Sequence, residues 1–289
     1  MTVEILADEL YFPEGPRWHQ GKLWFSDFYD FAVKTVDLDG TVQTKLTVDG
    51  RPSGLGWLPD GRLLVVSMTD RLLLRLEHDA LVVHAQLGDL ATFHCNDMVV
   101  DAHGRAYVGN FGFDLDAAVE SGDFAGALAA YEGAALIRVD PDGSTSVAAP
   151  ALRFPNGTVI TDDGATMIIA ESMASRLTAF EIAADGQLSN SRTWAALDGC
   201  TPDGICLDTE GAVWVADASK PRCIRVREGG EVLDEVATGD HCYACMLGGP
   251  DGRTLFMLTA AHSDSVRAAA ARTGKILTTQ VAAGRAGLP

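Results

Sequence analysis

The feature that most constrains the fold of this chain is an internal repeat. Six segments share one pattern: an apolar run, a polar turn that ends in glycine, and a strand in which side chains alternate in polarity. The steps between the turn glycines are 40, 43, 60, 47 and 41 residues, for Gly21, Gly61, Gly104, Gly164, Gly211 and Gly252. A period of about 40 to 45 residues with four short strands per unit is typical of a β-propeller.

Closure of the ring sets the number of blades. An open ring would leave two unpaired sheet edges, so both ends of the chain are expected in one blade. The leading strand at residues 3–6 has no blade of its own and can join the strands at 255–258 and 276–279. The sequence therefore predicts an all-β fold, one six-bladed β-propeller domain over residues 1–289, with the N- and C-terminal strands closing the same blade.

One step of the repeat is longer than the others. Between Gly104 and Gly164 the chain has about 17 extra residues, at about 114–133, which are rich in Ala, Glu and Asp and could contain a short helix. Two interpretations stay open: an excursion on the surface, or a lid over one rim of the ring.

The charge balance limits the possible partners. The chain has 22 Lys and Arg against 40 Asp and Glu, a net charge of −18. A surface this acidic repels phosphate backbones and anionic lipids, so neither nucleic acid nor a membrane is expected as a partner. Residues 1–10 lack the basic start and apolar stretch of a signal peptide. We expect a cytoplasmic protein, either a monomer or a small homo-oligomer, with its six cysteines reduced.

Alignment of the six repeats on their turns gives one ring of equivalent positions. These ring positions are Glu14, Ser53, Asn96, Asn156, Asp203 and Ala244. Equivalent positions lie at equal height around a propeller axis, so the six side chains are expected at one mouth of the central channel. Asn156-Gly157 and Asp203-Gly204 could each be plain turn sequences, but a glutamate at the same register is not a turn residue.

The ring chemistry favours a metal ion. Two carboxylates that face each other would repel, and a divalent cation would remove that repulsion. Oxygen donors favour Ca²⁺, with Mg²⁺, Mn²⁺, Zn²⁺ and Fe²⁺ as alternatives for the one ion.

Four motifs then resemble one known family, regucalcin/gluconolactonase (senescence marker protein-like), in order and over nearly the whole chain. They are Phe12-Pro13-Glu14-Gly15-Pro16, His94-Cys95-Asn96-Asp97-Met98-Val99-Val100-Asp101, Phe154-Pro155-Asn156-Gly157 and Pro202-Asp203-Gly204-Ile205. The resemblance implies a six-bladed propeller and a metal-dependent lactonase. It also implies that Glu14, Asn156 and Asp203 hold the metal ion, with Asn96 beside it.

The chain departs from this family at residues that would contact the substrate. Regucalcin-like members have an arginine two residues before the third-blade asparagine, where this chain has His94. A family acidic residue that reaches the substrate falls near Asp114. Loss of the arginine, together with the apolar Phe111 beside the insertion, favours a lactone less polar than gluconolactone. Ser53 and His241 are expected at the same pocket, and His94 could contact substrate, shuttle protons or be structural.

The leading hypothesis is hydrolysis of a lactone ring. The metal ion polarises the carbonyl oxygen, a water attacks the carbonyl carbon, and Asp203 acts as general base. One alternative is a metal-dependent hydrolase of another ester or of a cyclic imine. A second is a propeller that binds Ca²⁺ without catalysis.

Overall fold

Six antiparallel sheets surround a central channel in the computed structural model, which describes residues 2–289. The first strands of blades one to six (β2, β6, β10, β14, β18 and β22) contact one another in turn around the channel. The strands of blades one to three are β2 (Pro13–His19), β3 (Lys22–Asp27), β4 (Ala32–Val36), β5 (Val42–Thr47), β6 (Pro52–Trp57), β7 (Leu63–Ser67), β8 (Leu72–Glu77), β9 (Ala80–Gln86), β10 (Cys95–Val100), β11 (Ala106–Asn110), β12 (Ala134–Val139) and β13 (Thr145–Leu152). Those of blades four to six are β14 (Pro155–Ile160), β15 (Thr166–Glu171), β16 (Arg176–Ile182), β17 (Leu188–Ala196), β18 (Pro202–Asp208), β19 (Val213–Asp217), β20 (Arg222–Val226), β21 (Val232–Ala237), β22 (His241–Gly248), β23 (Thr254–Ala260), β24 (Gly274–Gln280) and β1 (Glu4–Leu10).

The ring closes as the sequence predicts. The N-terminal strand β1 is the outermost strand of blade six and pairs antiparallel with β24, with Ile5 opposite Leu277. Blade six therefore contains strands from both parts of the chain, and its outer edge is filled by β1. The predicted six-bladed β-propeller is confirmed.

The last residues of the chain lie at the other end of the channel. The short strand β25 (Arg285–Ala286) pairs with the far end of β18, where Asp208 lies opposite Arg285. Ile160 and Leu288 exchange two backbone hydrogen bonds of 2.8 Å, so this segment also contacts β14. The mouth that carries the ring positions is the one that stays open.

Helices interrupt two blades at the open mouth. The long step in blade three contains α1 (Leu115–Glu120) and α2 (Phe124–Ala130), and blade six contains α3 (Ser265–Ala271), which the sequence did not predict. An aspartate accepts a hydrogen bond from the first turn of each helix: Asp114, Asp123 and Asp264. Such N-caps and the alanine content favour helix in segments this short.

The core lies within and between the blades. The largest fully buried side chains include Trp214, Tyr107, Phe25 and Phe256, and burial of each aromatic ring contributes about 2–3 kcal/mol. All six cysteines are free and buried. Within residues 2–289 no helix has both the length and the apolar character that crossing a lipid bilayer requires.

Candidate active site

A break in strand pairing directs the ring side chains towards the channel. Each of the six inner strands has a register shift beside its ring position; in β2, β14 and β18 the shift follows Glu14, Pro155 and Pro202. Bulges of this kind bend the strand and re-aim a side chain. The repetition of the bulge in all six blades explains why equivalent positions converge at one mouth.

Glycines allow the inner strands to approach closely. A Cβ on Gly157 would lie 2.5 Å from the backbone nitrogen of Ile205, and one on Gly204 would lie 2.7 Å from Cα of Ala244. Neither distance is possible for a real side chain, so the glycine that follows the ring position sets the spacing between neighbouring blades.

The ring opens into one cavity of about 510 Å³. Glu14, Asn96, Asn156 and Asp203 all line it, so the structure brings together the three predicted metal ligands and their predicted neighbour. Their roles stay predictions, because residue types and location do not by themselves define a reaction.

Glu14 and Asp203 lie deep in the channel, and each keeps a part of its side chain exposed to the cavity. Burial, opposed by a hydrogen bond from the Gly15 amide, raises the pKa of Glu14 to about 8. Burial also raises the pKa of Asp203 well above its ordinary range, and the charge of Glu14 adds to this effect. Among residues 2–289 neither carboxylate forms an ion pair, so burial and the other carboxylate both disfavour the charged form of each.

The two asparagines are held in opposite orientations. Nδ2 of Asn156 donates to Oγ of Ser172 at 3.2 Å, and that hydroxyl donates to the carbonyl of Pro202 at 2.7 Å. This leaves Oδ1 of Asn156 as a free acceptor. Oδ1 of Asn96 instead accepts from Oγ of Ser53 at 3.3 Å, which leaves its NH₂ group as a donor. Asn156 thus offers oxygen to a cation, and Asn96 offers N–H to a substrate oxygen.

A buried ion pair lies beside the two carboxylates. Arg17, 4% exposed, donates to Oδ1 of Asp97 at 2.7 Å and to the carbonyl of Leu55 at 2.9 Å. The charge of Asp97 acts on both Glu14 and Asp203. When all three carboxylates are ionised, the one guanidinium leaves two negative charges uncompensated, and one divalent cation would balance them.

The donor set therefore fits a divalent metal ion. Glu14 and Asp203 supply carboxylate oxygens and Asn156 supplies an amide oxygen, and hard cations prefer such ligands. Within residues 2–289 no three His, Cys, Asp or Glu side chains are grouped as a metal site, so this candidate set consists of two carboxylates and one amide.

The walls of the cavity are largely aromatic and apolar. The rings of Phe12, Phe28, Tyr29, Phe111, Phe154 and Tyr243 all line it. At the mouth, α1 contributes Val119 and α3 contributes Val266, which are 51% and 73% exposed. Most of these residues come from loops of different blades, so no motif in the sequence marks them. The one available signal was position, because Phe12 and Phe154 each stand two residues before a ring position.

Of the other residues predicted to contact the substrate, only one lines the cavity. Phe111 lines the cavity. Ser53 donates to Asn96 from behind it. The ring centroids of His94 and Phe111 are 6.1 Å apart. Nδ1 of His241 lies 2.9 Å from the carbonyl oxygen of Ala218. None of these three lines the cavity itself. Asp114 is also outside it, because its carboxylate accepts from the amide of Ala117 and caps α1.

Sequence comparison identifies relatives along most of the chain. The chain is 27% identical to regucalcin of Oryctolagus cuniculus over 265 residues, which cover 89% of this chain and 85% of that protein. It is 29% identical to regucalcin of Danio rerio, but this match covers only 61% of the chain and 57% of that protein. A 6-deoxy-6-sulfogluconolactonase of Pseudomonas putida is 27% identical over 59% of the chain and 55% of its own length.

Solved structures share the fold. A luciferin-regenerating enzyme superposes with a TM-score of 0.83 at 21% identity, over 99% of this chain and 98% of that one. A calcium-binding regucalcin of Agrobacterium tumefaciens gives 0.80 at 19% identity, over 100% and 96%. Residues 12–261 match the sequence model of the SMP-30/Gluconolactonase/LRE-like region. Because this match spans most of the propeller, the chain belongs to the SMP-30/gluconolactonase/LRE-like family.

Proposed function

We propose that this protein is a metal-dependent hydrolase that opens the ring of a lactone less polar than gluconolactone. One observation carries the proposal: two carboxylates without ion-pair partners meet two oppositely oriented asparagines in a cavity with aromatic walls. Family membership supports it, since the relatives include a protein named as a sulfogluconolactonase and a structure described as a gluconolactonase.

Glu14, Asn156 and Asp203 would hold the cation through two carboxylate oxygens and one amide oxygen. A divalent ion bound there supplies a Lewis acid to the carbonyl oxygen and increases the acidity of water. Asp97 is left out of the proposed ligand set because it does not line the cavity, and its Oδ1 accepts from Arg17 and from the amide of Met98.

Asp203 would act as the general base. It removes a proton from the attacking water while the water oxygen bonds to the carbonyl carbon. The bond from that carbon to the ring oxygen then breaks, the ring oxygen takes the proton, and a hydroxy acid leaves. A cation bound to Asp203 would oppose the rise in the pKa of this carboxyl that burial beside Glu14 causes, so the increased acidity of the water would carry part of the proton transfer.

Asn96 would orient the substrate. Since Ser53 occupies its Oδ1, its NH₂ group is left to donate to the lactone carbonyl or ring oxygen. Preorganised donors of this kind stabilise the negative charge that develops on a carbonyl oxygen. The aromatic walls bind the carbon skeleton and exclude bulk water, which favours an apolar ring over a polyhydroxylated one.

Hydrolysis of a panel of γ- and δ-lactones tests the proposal, with polyhydroxylated, alkyl and aryl members, each with Ca²⁺ and with EDTA. We expect turnover of alkyl or aryl lactones that EDTA abolishes. Asp203→Asn should lower kcat by about 100-fold or more, because the loss of a general base typically costs 10²–10⁴. The control is Asp251→Asn, an exposed turn residue in blade six, which should leave the rate unchanged.

Each rival function gives a different result. Full turnover in EDTA or in Asp203→Asn would contradict the mechanism. Ca²⁺ binding by calorimetry without turnover would favour a calcium-binding propeller, the description carried by the Agrobacterium regucalcin structure. Hydrolysis of open-chain esters or cyclic imines in preference to lactones would assign the same site to another hydrolase.

A further inference from the structure

A second set of equivalent residues lies at the cavity, two positions before the ring. In blades one to five these are Phe12, Arg51, His94, Phe154 and Thr201. In all five blades the backbone carbonyl of this residue accepts a hydrogen bond from a residue just after the second strand; Met68, for example, donates to Arg51 at 2.8 Å. Four of the five, all except His94, line the cavity. Four members of this second ring therefore share one cavity with the ring positions.

Arg51 supplies the one cation of the second ring. Its backbone is well fixed, because its amide donates to the carbonyl of Val48 at 3.0 Å and its carbonyl accepts from Met68. It has a φ of +66°, in the left-handed region that non-glycine residues rarely adopt. Strained backbone conformations of this kind cluster at functional sites.

The guanidinium of Arg51 has no protein partner among residues 2–289. Its Nε is buried without a hydrogen bond, and no carboxylate of the described chain pairs with it. Its Cζ lies over the ring of Tyr29, 5.1 Å from the ring centroid, and the Tyr29 hydroxyl donates to the carbonyl of Ser263 at 2.5 Å. This cation–π contact stabilises the guanidinium beside Tyr29 without using its N–H donors.

Other arginines near the site are occupied. Arg267 also lines the cavity, but it pairs with Asp264 at 2.7 Å. Arg17 makes hydrogen bonds from all three of its nitrogens. Among Arg17, Arg51 and Arg267, only Arg51 has a guanidinium whose N–H donors no group of the described chain engages, so it is the one available to bind a group of the substrate.

The electrostatics of the inner cavity favour an anion. A divalent cation would neutralise Glu14 and Asp203, and Arg51 then adds a positive charge. Asp116 and Glu120 also line the cavity but are exposed on α1, where water and salt screen charges over about 8 Å. A direct contact with Arg51 inside the cavity is screened far less, so it outweighs repulsion from the rim.

We propose that Arg51 binds a carboxylate of the substrate, so that the lactone is an apolar ring that carries an anionic substituent. One planar guanidinium matches one carboxylate with two parallel hydrogen bonds. The lactone would lie beside Glu14, Asn156 and Asp203, and its carboxylate substituent would lie beside Arg51. The placement of the reacting ring rests on the proposed lactone chemistry; the affinity of Arg51 for a carboxylate does not.

The test is a binding experiment with two unreactive probes of the same shape, 3-phenylpropionate and 3-phenylpropionamide. Calorimetry on the wild type and on Arg51→Met, each with saturating Ca²⁺ and with EDTA, gives the preference for the carboxylate as a ratio of Kd values. We expect Arg51→Met to lower this ratio by about 10- to 100-fold in both conditions, the usual effect of losing a hydrogen bond to a charged group. Arg51→Lys should retain part of the preference.

Arg253→Met is the matched control, because Arg253 is exposed in the turn between β22 and β23 at the opposite end of the inner strand. It should leave the ratio unchanged. An equal ratio in wild type and Arg51→Met would overturn the proposal, since any preference would then come from the metal ion alone.

A kinetic experiment separates this inference from the proposed function. Dihydrocoumarin and its 6-carboxylate are compared by kcat/KM in wild type and Arg51→Met. Turnover of both without a preference that depends on Arg51 would contradict the anion site and leave the lactonase intact. A preference in binding without any turnover would support the anion site and contradict the lactonase.

Discussion

Arg17 of blade one donates to Asp97 of blade three at 2.7 Å, across the inner strand of blade two. The same guanidinium donates to the carbonyl of Leu55 in that intervening strand, so one side chain connects three blades. Arg17→Met would leave Asp97 as a buried charge without an ion-pair partner. We expect it to lower the free energy of unfolding by about 3–5 kcal/mol, measured by urea denaturation.

Two further variants make this prediction specific. Asp97→Asn keeps an acceptor for the guanidinium and should be less destabilising than Arg17→Met. Arg192→Met removes an exposed ion pair with Glu228 and should change stability by less than about 1 kcal/mol. If Arg17→Met lowered the free energy of unfolding by less than about 1 kcal/mol, the ion pair would not stabilise the contact between the blades.

The metal-free protein should become less stable as the pH rises. The pKa of Glu14 is raised from 4.5 to about 8 in the folded protein, so between these values the folded state keeps a proton that the unfolded chain releases. Stability is therefore greatest at the acidic end of this window and is lost as the pH approaches 8. Thermal unfolding in EDTA from pH 5 to 8.5 measures the effect.

Glu14→Gln is the companion variant, because its amide does not titrate. In EDTA it should show a smaller fall in Tm over the same window. With saturating Ca²⁺ the wild type should gain Tm at pH 8 and Glu14→Gln should gain little. Equal gains in both proteins would remove Glu14 from the metal site.

Gly157→Ala should force the inner strands of blades four and five apart and destabilise the fold. Its Cβ would lie 2.5 Å from the backbone nitrogen of Ile205, and a backbone atom cannot move aside as a flexible side chain can. We expect a loss of about 3 kcal/mol or more in urea denaturation, at the upper end of overpacking effects. Gly88→Ala is the control, since its Cβ would meet nothing closer than 3.8 Å; a similar loss there would refute the explanation by contact between blades.

The pKa of His94 should respond to the charge of Arg51. Burial lowers the pKa of His94, the positive charge of Arg51 lowers it further, and Asp116 opposes both. Its imidazole is therefore mainly neutral at pH 7. Arg51→Met should raise the pKa of His94 and Asp116→Asn should lower it, as measured by NMR titration of the histidine Cε1 proton. Arg253→Met should leave it unchanged, and no shift in Arg51→Met would mean that the two groups do not interact.

The helices at the mouth should affect binding more than chemistry. Val119 of α1 and Val266 of α3 both line the cavity although they are largely exposed. If α1 and α3 cover an apolar substrate as a lid, Val119→Ser and Val266→Ser should each raise KM for an aryl lactone by about fivefold, with kcat unchanged. Val147→Ser, an exposed valine of β13 outside the cavity, should change neither value.

Much of the fold and part of the site could be predicted from the sequence. The turn glycines set the number of blades, and alignment on them placed Glu14, Asn96, Asn156 and Asp203 at one register. This succeeded because a repeat in sequence becomes a rotation in space, so equal positions in the repeat become equal heights in the channel. The same logic located β1 in blade six, since a ring must not leave an unpaired edge.

The rest was decided by tertiary structure. The cavity walls combine loop residues such as Tyr29 and Arg51 with Tyr243 of β22, and their relative positions depend on closure of the whole ring. The family resemblance placed a substrate-contacting acidic residue near Asp114; in the structure this carboxylate caps α1 and lies outside the cavity. The sequence thus determined which residue types occupy each level along the channel axis, because that level follows from the position within the sequence repeat. Only the folded ring determined which of these residues face the cavity and which lack partners, because both depend on distances between segments that are far apart in the sequence.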